Sequence, residues 1–333
     1  MRLLFLTDTH FRGTTPQHRR DNLPETQKEK WREVVGLARE LGVAAVLHGG
    51  DLWDAPGPAL AVGAEFAALL QELPVPLYIV PGNHDIYGQN PATLPRTMLG
   101  LLARLGLVRL LDSTPVWLHG DGVTVRLTGR GFHYDIDRRK PDPDYVVDKK
   151  DCDVAVHVVH GMLVQRPLFP GAACTLIEQV APLTRADYTL CGHAHLGFPE
   201  TEIDGRFFLN PGALVRLSAL PQEMERTPQV VLLDFSGGRR RHRLIPLQCA
   251  RPGSEVLDRT LLERSAFREE KLSLFVQGIR AGGAYRGTGL EEIVDSIARQ
   301  KGLPAEVRAE ALRRLGLARD RLEGGENGCA WSD

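Results

Sequence analysis

Leu3-Leu4-Phe5-Leu6-Thr7-Asp8-Thr9-His10 is an apolar run that ends abruptly in a carboxylate and an imidazole. Unbroken apolar residues before a polar pair suit a strand buried on both faces. The same syntax returns twice. Ala44 to His48 leads into Gly49-Gly50-Asp51, and Leu77 to Val80 leads into Pro81-Gly82-Asn83-His84-Asp85. Between these runs, Glu25 to Leu41 and Pro58 to Leu73 are helical in pattern, and Thr93 to Leu105 follows as a third helix. A β-α-β-α-β-α rhythm predicts a buried sheet with helices packed on it.

From Leu107 the pattern changes to short strands: Val116–Leu118, Val123–Thr128, Val154–Val159, Tyr188–Cys191, Arg206–Leu209 and Gln229–Phe235. This predicts a second, mixed sheet packed on the first, with helices outside. Asp135 to Lys150 is polar and Pro-rich, hence a loop. Beyond Arg251-Pro252-Gly253 the character is helical. Leu290, Ile293, Val294 and Ile297 share one helix face, and another helix is expected from Pro304 to about Leu322.

The 333 residues are 43% hydrophobic and 25% charged, ordinary soluble-globular values, and the formal net charge is −1. No global field would gather nucleic acid, so any such contact needs local basic patches. The opening Met1-Arg2 runs into an apolar stretch too short for a signal peptide, and no run approaches the ~18 residues of a membrane span. Five scattered cysteines without a C-x-x-C pair argue against a disulfide framework or thiolate zinc, and for a reducing cytoplasm.

Chemistry concentrates at strand ends. Besides the three runs already quoted, one strand ends in His160-Gly161 and another in Gly192-His193-Ala194-His195. Open α/β sheets gather ligands at strand carboxyl ends, so five strands deliver polar residues to one rim. Five of the 11 histidines lie in these clusters. Oxygen and imidazole donors without sulfur favour manganese, iron or zinc. Asp8 and His10, like His193 and His195, would share a face if extended. Adjacent glycines allow close backbone approach.

In that order, Asp-x-His, Gly-Asp, Gly-Asn-His-Asp, a later His and Gly-His-x-His resemble the calcineurin-like metallophosphoesterase superfamily. The resemblance covers roughly residues 1–250 as a metallophosphoesterase domain and leaves 251–333 as a C-terminal helical region. It implies an α/β four-layer sandwich, two mixed sheets flanked by helices, with two divalent metals, Mn2+ first and Fe or Zn as substitutes. Asp8, His10, Asp51 and His195 would hold one metal. Asp51, Asn83, His160 and His193 would hold the other, with Asp51 bridging. His84 would stabilise the transition state or protonate the leaving oxygen, and Asp85 is either the natural partner to orient it or a turn or helix N-cap residue.

The shared motifs do not choose a substrate. However, His48-Gly49-Gly50-Asp51-Leu52-Trp53-Asp54 and Asn210-Pro211-Gly212-Ala213-Leu214-Val215-Arg216 resemble runs of SbcD-type DNA-repair exonucleases. That resemblance implies a Mn-dependent DNA exo/endonuclease, with a phosphodiesterase or phosphatase for small nucleotides or phosphoesters as the alternative. Expected substrate contacts are Arg19, Arg20, Trp53 and Arg216; the alternatives are that Trp53 and Asp54 are an aromatic and an N-cap packing the start of the next helix, and that Arg216 is a surface residue. Arg138-Arg139-Lys140 and Arg239 to Arg243 are further basic runs, the last expected at a solvated hairpin tip. An SbcC-type coiled-coil ATPase would dock on the C-terminal helices, and a homodimer is a further assembly to expect.

Overall fold

The computed structural model describes residues 1–167, 169–260, 294, 298–299 and 301–324. The first half runs β1 (Arg2–Leu6), α1 (Leu23–Glu40), β2 (Ala45–His48), α2 (Leu60–Leu70), β3 (Leu77–Ile79), α3 (Met98–Arg104) and β4 (Arg109–Leu110). The second supplies β5 (Val116–Gly120), β6 (Val123–Arg130), α4 (Asp142–Tyr145), β7 (Val154–His160), β8 (Leu163–Val164) and β9 (Thr175–Leu176). It continues with α5 (Ile177–Val180), β10 (Tyr188–Gly192), β11 (Phe198–Ile203), β12 (Arg206–Asn210), α6 (Pro221–Glu225), β13 (Gln229–Asp234), β14 (Arg241–Pro246) and α7 (Gly253–Val256).

Two six-stranded sheets result, ordered β14-β13-β1-β2-β3-β4 and β11-β12-β10-β7-β6-β5. In the first, β1, β2, β3 and β4 are parallel and β13 returns antiparallel against β1. In the second, β6, β7, β10 and β12 are parallel, and β5 and β11 close the edges antiparallel. Both sheets are therefore mixed, as expected.

The alternation within β1 shows why its apolar run is unbroken. Leu4 and Leu6 join Val46 and Ile79 on the face covered by Trp31, Phe66 and Leu99 from α1, α2 and α3. Leu3 and Phe5 point the other way, against Val125, Val156 and Leu190 of the second sheet. The outer face of that sheet, with Val159, Cys191 and Phe208, is covered by Tyr145, Ile177 and Val180. Helices, sheet, sheet and helices make four layers. Each fully buried Leu or Phe contributes ~1.5–3 kcal/mol. α1 is opened by Asn22, whose side chain accepts from Glu25 N at 3.4 Å, and Trp31 ties it to α2 by donating to Leu69 O at 3.0 Å.

Three expectations need correction. The predicted helix over Thr93–Leu105 is split: a 3-10 turn spans Pro91–Arg96, and α3 starts afresh at Met98. Thr97 caps the new start, its hydroxyl accepting from Gly100 N at 3.1 Å. The basic run Arg239 to Arg243 is not a hairpin tip alone, because Arg241 begins β14, paired from Asp234↔Arg241 to Gln229↔Pro246. β11 carried no signal in the sequence either. Both are edge strands, rich in charge or interrupted by Pro199, which is how edges are kept from pairing with other chains.

One compact unit runs from Met1 to Leu262 and takes in residues beyond 250. Residues 251–258 belong to it because Arg20 N donates to Val256 O and Asp258 N donates to His18 O. The second unit, Glu263–Asp333, contains α8 (Ala305–Gly324), close to the helix expected from Pro304. Of the apolar face Leu290, Ile293, Val294 and Ile297, only Val294 is among the described residues. Among the described residues no helix is long and apolar enough to cross a membrane.

Candidate metal centre

Asp8 follows β1, Asp51 follows β2, Asn83 follows β3, His160 ends β7 and His193 follows β10. All five strands run parallel within their sheets, so the seven residues expected as ligands meet at one rim. His10, Asp54 and His84 make one group there, and the expected ligands make two more: Asp8, His10, Asp51 and His195, and Asp51, His160 and His193. Within each, the ligand atoms lie within 4.8 Å of one another. Asp51 belongs to both of the latter. Its Oδ2 is 3.5 Å from His10 Nε2 and 3.4 Å from His160 Nε2, while His195 Nε2 lies 3.7 Å from Asp8 Oδ1. Asn83 joins the last group through its Oδ1, 3.0 Å from His160 Nε2.

The way these side chains converge differs from the extended geometry expected. Asp8 (φ 52°), His10 (φ 46°), Asp51 (φ 53°) and His193 (φ 74°) all adopt left-handed backbone. Tight turns, not alternation along a strand, aim them at one point, and each such residue costs on the order of 1–3 kcal/mol. Gly82 is needed for close approach, since a Cβ there would collide with the Asp51 carboxylate and backbone nitrogen. Gly50, at φ 100°, could take no side chain without striking the His160 ring.

Backbone and neighbours hold the ligands. Thr7 donates to Asp8 Oδ2 at 2.7 Å, and His193 N–H donates to both Asp8 oxygens at 3.2 Å. His84 N–H donates to Asp51 Oδ1 at 2.8 Å. His160 Nδ1–H donates to Gly49 O at 2.7 Å, which leaves Nε2 facing Asp51 Oδ2 and Asn83 Oδ1.

The residues fit a cation. His10 Nε2, Asp51 Oδ2 and His193 Nδ1 are buried without a hydrogen-bond partner. Buried polar atoms are normally satisfied, and such a set of lone pairs around one space asks for a positive charge. The buried carboxylates also govern where protons sit. Burial pushes the Asp8 carboxyl up, although His160 opposes it. Burial also disfavours a charged His160, but the Asp51 carboxylate overrides it and holds the imidazole at about 9. His193 at about 4 and His195 at about 3 are kept neutral by burial and by the cationic neighbours His160 and His10 respectively.

The calcineurin-like phosphoesterase family profile matches residues 1–197, well over half of the chain.

The chain belongs to the calcineurin-like phosphoesterase family.

Among its relatives, the DNA double-strand break repair protein Mre11 of Halobacterium salinarum is 31% identical over 201 residues, covering 58% of this phosphoesterase and 47% of that protein. Mre11 of Haloferax volcanii is 29% identical over 250 residues, covering 69% and 50%. This phosphoesterase thus spans about half the length of the curated relatives it matches. Among solved structures, a Thermus thermophilus protein aligns over 73% of the phosphoesterase and 98% of its own chain, at 14% identity with a TM-score of 0.44. The centre at the strand ends is a divalent-metal centre, as the family and the His/Asp clusters together require.

Around it, several expected roles change. Asp85 does not touch His84. It is buried and accepts from Gly82 N at 2.9 Å, Trp53 N at 3.1 Å and Leu52 N at 3.3 Å, fastening the turn after β3 to the turn after β2. The orienting partner of His84 is the Asp54 carbonyl, which accepts from Nδ1 at 2.9 Å. Trp53 is fully buried beside Phe11 and Phe66 and cannot stack on a substrate. Arg216 is buried with Nε, Nη1 and Nη2 spent on the carbonyls of Glu223, Arg251 and Arg226, each at 2.8 Å. Arg19 grips Asp21 with two bonds of 2.8 Å and donates to Arg216 O. Of the four expected substrate contacts, only Arg20 is exposed, and it lies 3.7 Å from Asp258.

Three contributors escaped sequence reasoning. Asp54 Oδ1 lies 3.5 Å from His10 Nδ1 while its Oδ2 holds Arg12 at 2.9 Å, so this carboxylate braces the His10 ring. Its signal was its place three residues after Asp51, read as a helix cap. Gln27, from α1, donates to the carbonyls of Thr9 and His10. Phe132 packs its ring 5.4 Å from His193 and 6.2 Å from His160. Neither Gln27 nor Phe132 has a motif to mark it.

Proposed function

We propose that this phosphoesterase is a DNA nuclease of double-strand break repair, with two Mn2+ ions in the centre. The observation that carries the dinuclear reading is Asp51, shared between two ligand groups. Asp8, His10, Asp51 and His195 would hold one ion, and Asp51, Asn83, His160 and His193 the other. Bound there, the pair supplies Lewis-acid polarisation and charge neutralisation at phosphorus and lowers the pKa of water. The chain's own residues do the rest. Gly49 O fixes the His160 tautomer, and Asp54 braces His10. With Nδ1 committed to Asp54 O, His84 is left with Nε2 to carry the proton passed to the leaving oxygen.

DNA as substrate rests on the named activity of the Halobacterium and Haloferax relatives. The SbcC-type ATPase as partner and a cytoplasmic setting belong to the same reading. A second reading, a phosphodiesterase for small phosphoesters, is favoured by the burial of Arg19, Arg216 and Trp53, which withdraws them from any DNA-binding surface. Labelled linear DNA and bis-p-nitrophenyl phosphate, each supplied with Mn2+ and with Asp51→Asn as control, separate the two. Cleavage of both supports the nuclease. Hydrolysis of the small ester without DNA cleavage leaves the second reading.

A further inference from the structure

Ala213 to Arg216 follows the Asn210-Pro211-Gly212 turn and belongs to no helix or strand. Its four consecutive carbonyls would be orphaned inside the fold, yet each receives a cationic side chain. Arg226 donates Nη1 to Ala213 O at 2.8 Å and Nη2 to Val215 O at 2.6 Å. Lys30, on α1, donates to Leu214 O at 2.9 Å, and Arg19 donates to Arg216 O at 2.6 Å. Carboxylates hold the two arginines in turn: Glu223 binds Arg226 Nε at 2.7 Å, and Asp21 takes Arg19 with both oxygens. Lys30, Arg216 and Glu223 are nearly inaccessible to solvent.

The amide side of the same strap faces the metal centre. Ala213 N–H donates to His195 O at 2.8 Å, and Leu214 N–H donates to Thr7 O at 3.0 Å. His195 and Asp8, the residue after Thr7, are two of the four members of the first ligand group. Moreover, the Ala213 carbonyl gripped by Arg226 and the Leu214 N–H that holds Thr7 belong to one peptide unit. A cation on a carbonyl strengthens hydrogen bonding through the amide on the other end of the unit. The strap thus joins a cationic clamp on one side to two ligand-bearing turns on the other.

We propose that Arg226 and Lys30, with Arg19, are positioning residues for the metal centre: by clamping the carbonyls of Ala213–Arg216 they fix His195 and Asp8 for coordination. The inference rests on reading His195 as a metal ligand. The three cations spend their donors on backbone carbonyls and on carboxylates. Their effect passes through the backbone of the strap, so it belongs to metal affinity before it belongs to catalysis.

Metal-free full-length protein titrated calorimetrically with MnCl2 alone tests this. Partners behind a metal ligand typically change affinity 10–100-fold. Arg226→Met is expected to weaken, about tenfold, the binding step that His195→Ala removes, and to leave any other step near wild type. Arg226→Lys, which keeps a cation able to reach one carbonyl, should recover part of the loss. Lys30→Met provides a milder second variant of similar length. Leu69→Ala, in the core under α1, is the control for lost stability alone, each variant's melting temperature being recorded. Unchanged Mn2+ affinity in both Arg226→Met and Lys30→Met, or a loss equal to that of an equally destabilised Leu69→Ala, overturns the clamp. If His195→Ala itself leaves Mn2+ binding intact, the ligand reading fails and takes the clamp with it. Should Arg226→Met not fold, Lys30→Met and Arg226→Lys decide by the same comparison.

Discussion

His84 and Asp85 are neighbours in sequence with opposite duties. The backbone N–H of His84 serves Asp51, and its ring is free of the ligand groups around Asp51, lying 4.7 Å from His10. His84→Ala removes the ring and keeps the amide. Metal content measured by atomic emission should stay near normal, while turnover of bis-p-nitrophenyl phosphate falls by ~10²–10⁴. Retained turnover would remove His84 from the chemistry. Trp53 offers the converse case. As a buried neighbour of Phe11 and Phe66 it contributes to the core, and Trp53→Ala should cost ~3–5 kcal/mol in denaturant unfolding. DNA affinity of the folded fraction should not change; a selective loss of DNA binding would restore it to the substrate surface. The seven residues proposed as ligands stand out in the sequence because each lies at the end of an apolar run. The burial of Arg19, Arg216 and Trp53 was not legible, for a common reason. A motif marks a position as important without saying whether the side chain faces substrate or its own backbone.

At the scale of elements, buried strands were legible and edge strands were not. β1, β2 and β7 are apolar on both faces, a pattern composition cannot hide. β11 and β14 have solvent on one side and carry Glu200, Glu202, Arg241 and Arg243 in line with it. The split before α3 depended on Thr97, a cap inside an otherwise helical stretch. Thr97→Ala should cost ~1 kcal/mol, lowering the melting temperature by about 2–4 °C for a unit of this size, with kinetics unchanged. The turn before Asn83 is less forgiving. Gly82→Ala places a methyl against Asp51, so both stability and Mn2+ affinity should fall, measured by melting and calorimetry together. A variant with wild-type affinity would show that the turn can move aside.

Over the whole molecule, formal charge is nearly balanced and several basic side chains are turned inward. Lys30 is the clearest instance. Burial, reinforced by Arg216, Arg226 and Arg19 and only weakly opposed by Cys249, lowers its pKa from 10.5 to about 7. Between those values the unfolded chain binds more protons than the native one, so this residue makes stability rise with pH from about 7 toward 10.5, with no contribution to the slope below. Denaturant unfolding of Lys30→Met across that interval should show a flatter profile than wild type. An identical slope would mean Lys30 stays charged in the fold.

The left-handed turns that carry Asp8, His10, Asp51 and His193 also limit what can be borrowed from this protein. Copying the seven side chains onto a different sheet of similar layout would transfer the donors without the torsions that aim them. Four residues would relax to ordinary backbone, and the donor atoms would no longer converge. A graft would have to carry Gly50, Gly82 and the Ala213–Arg216 strap as well. The transferable unit is a set of turns and their supports, and the ligands are its visible part.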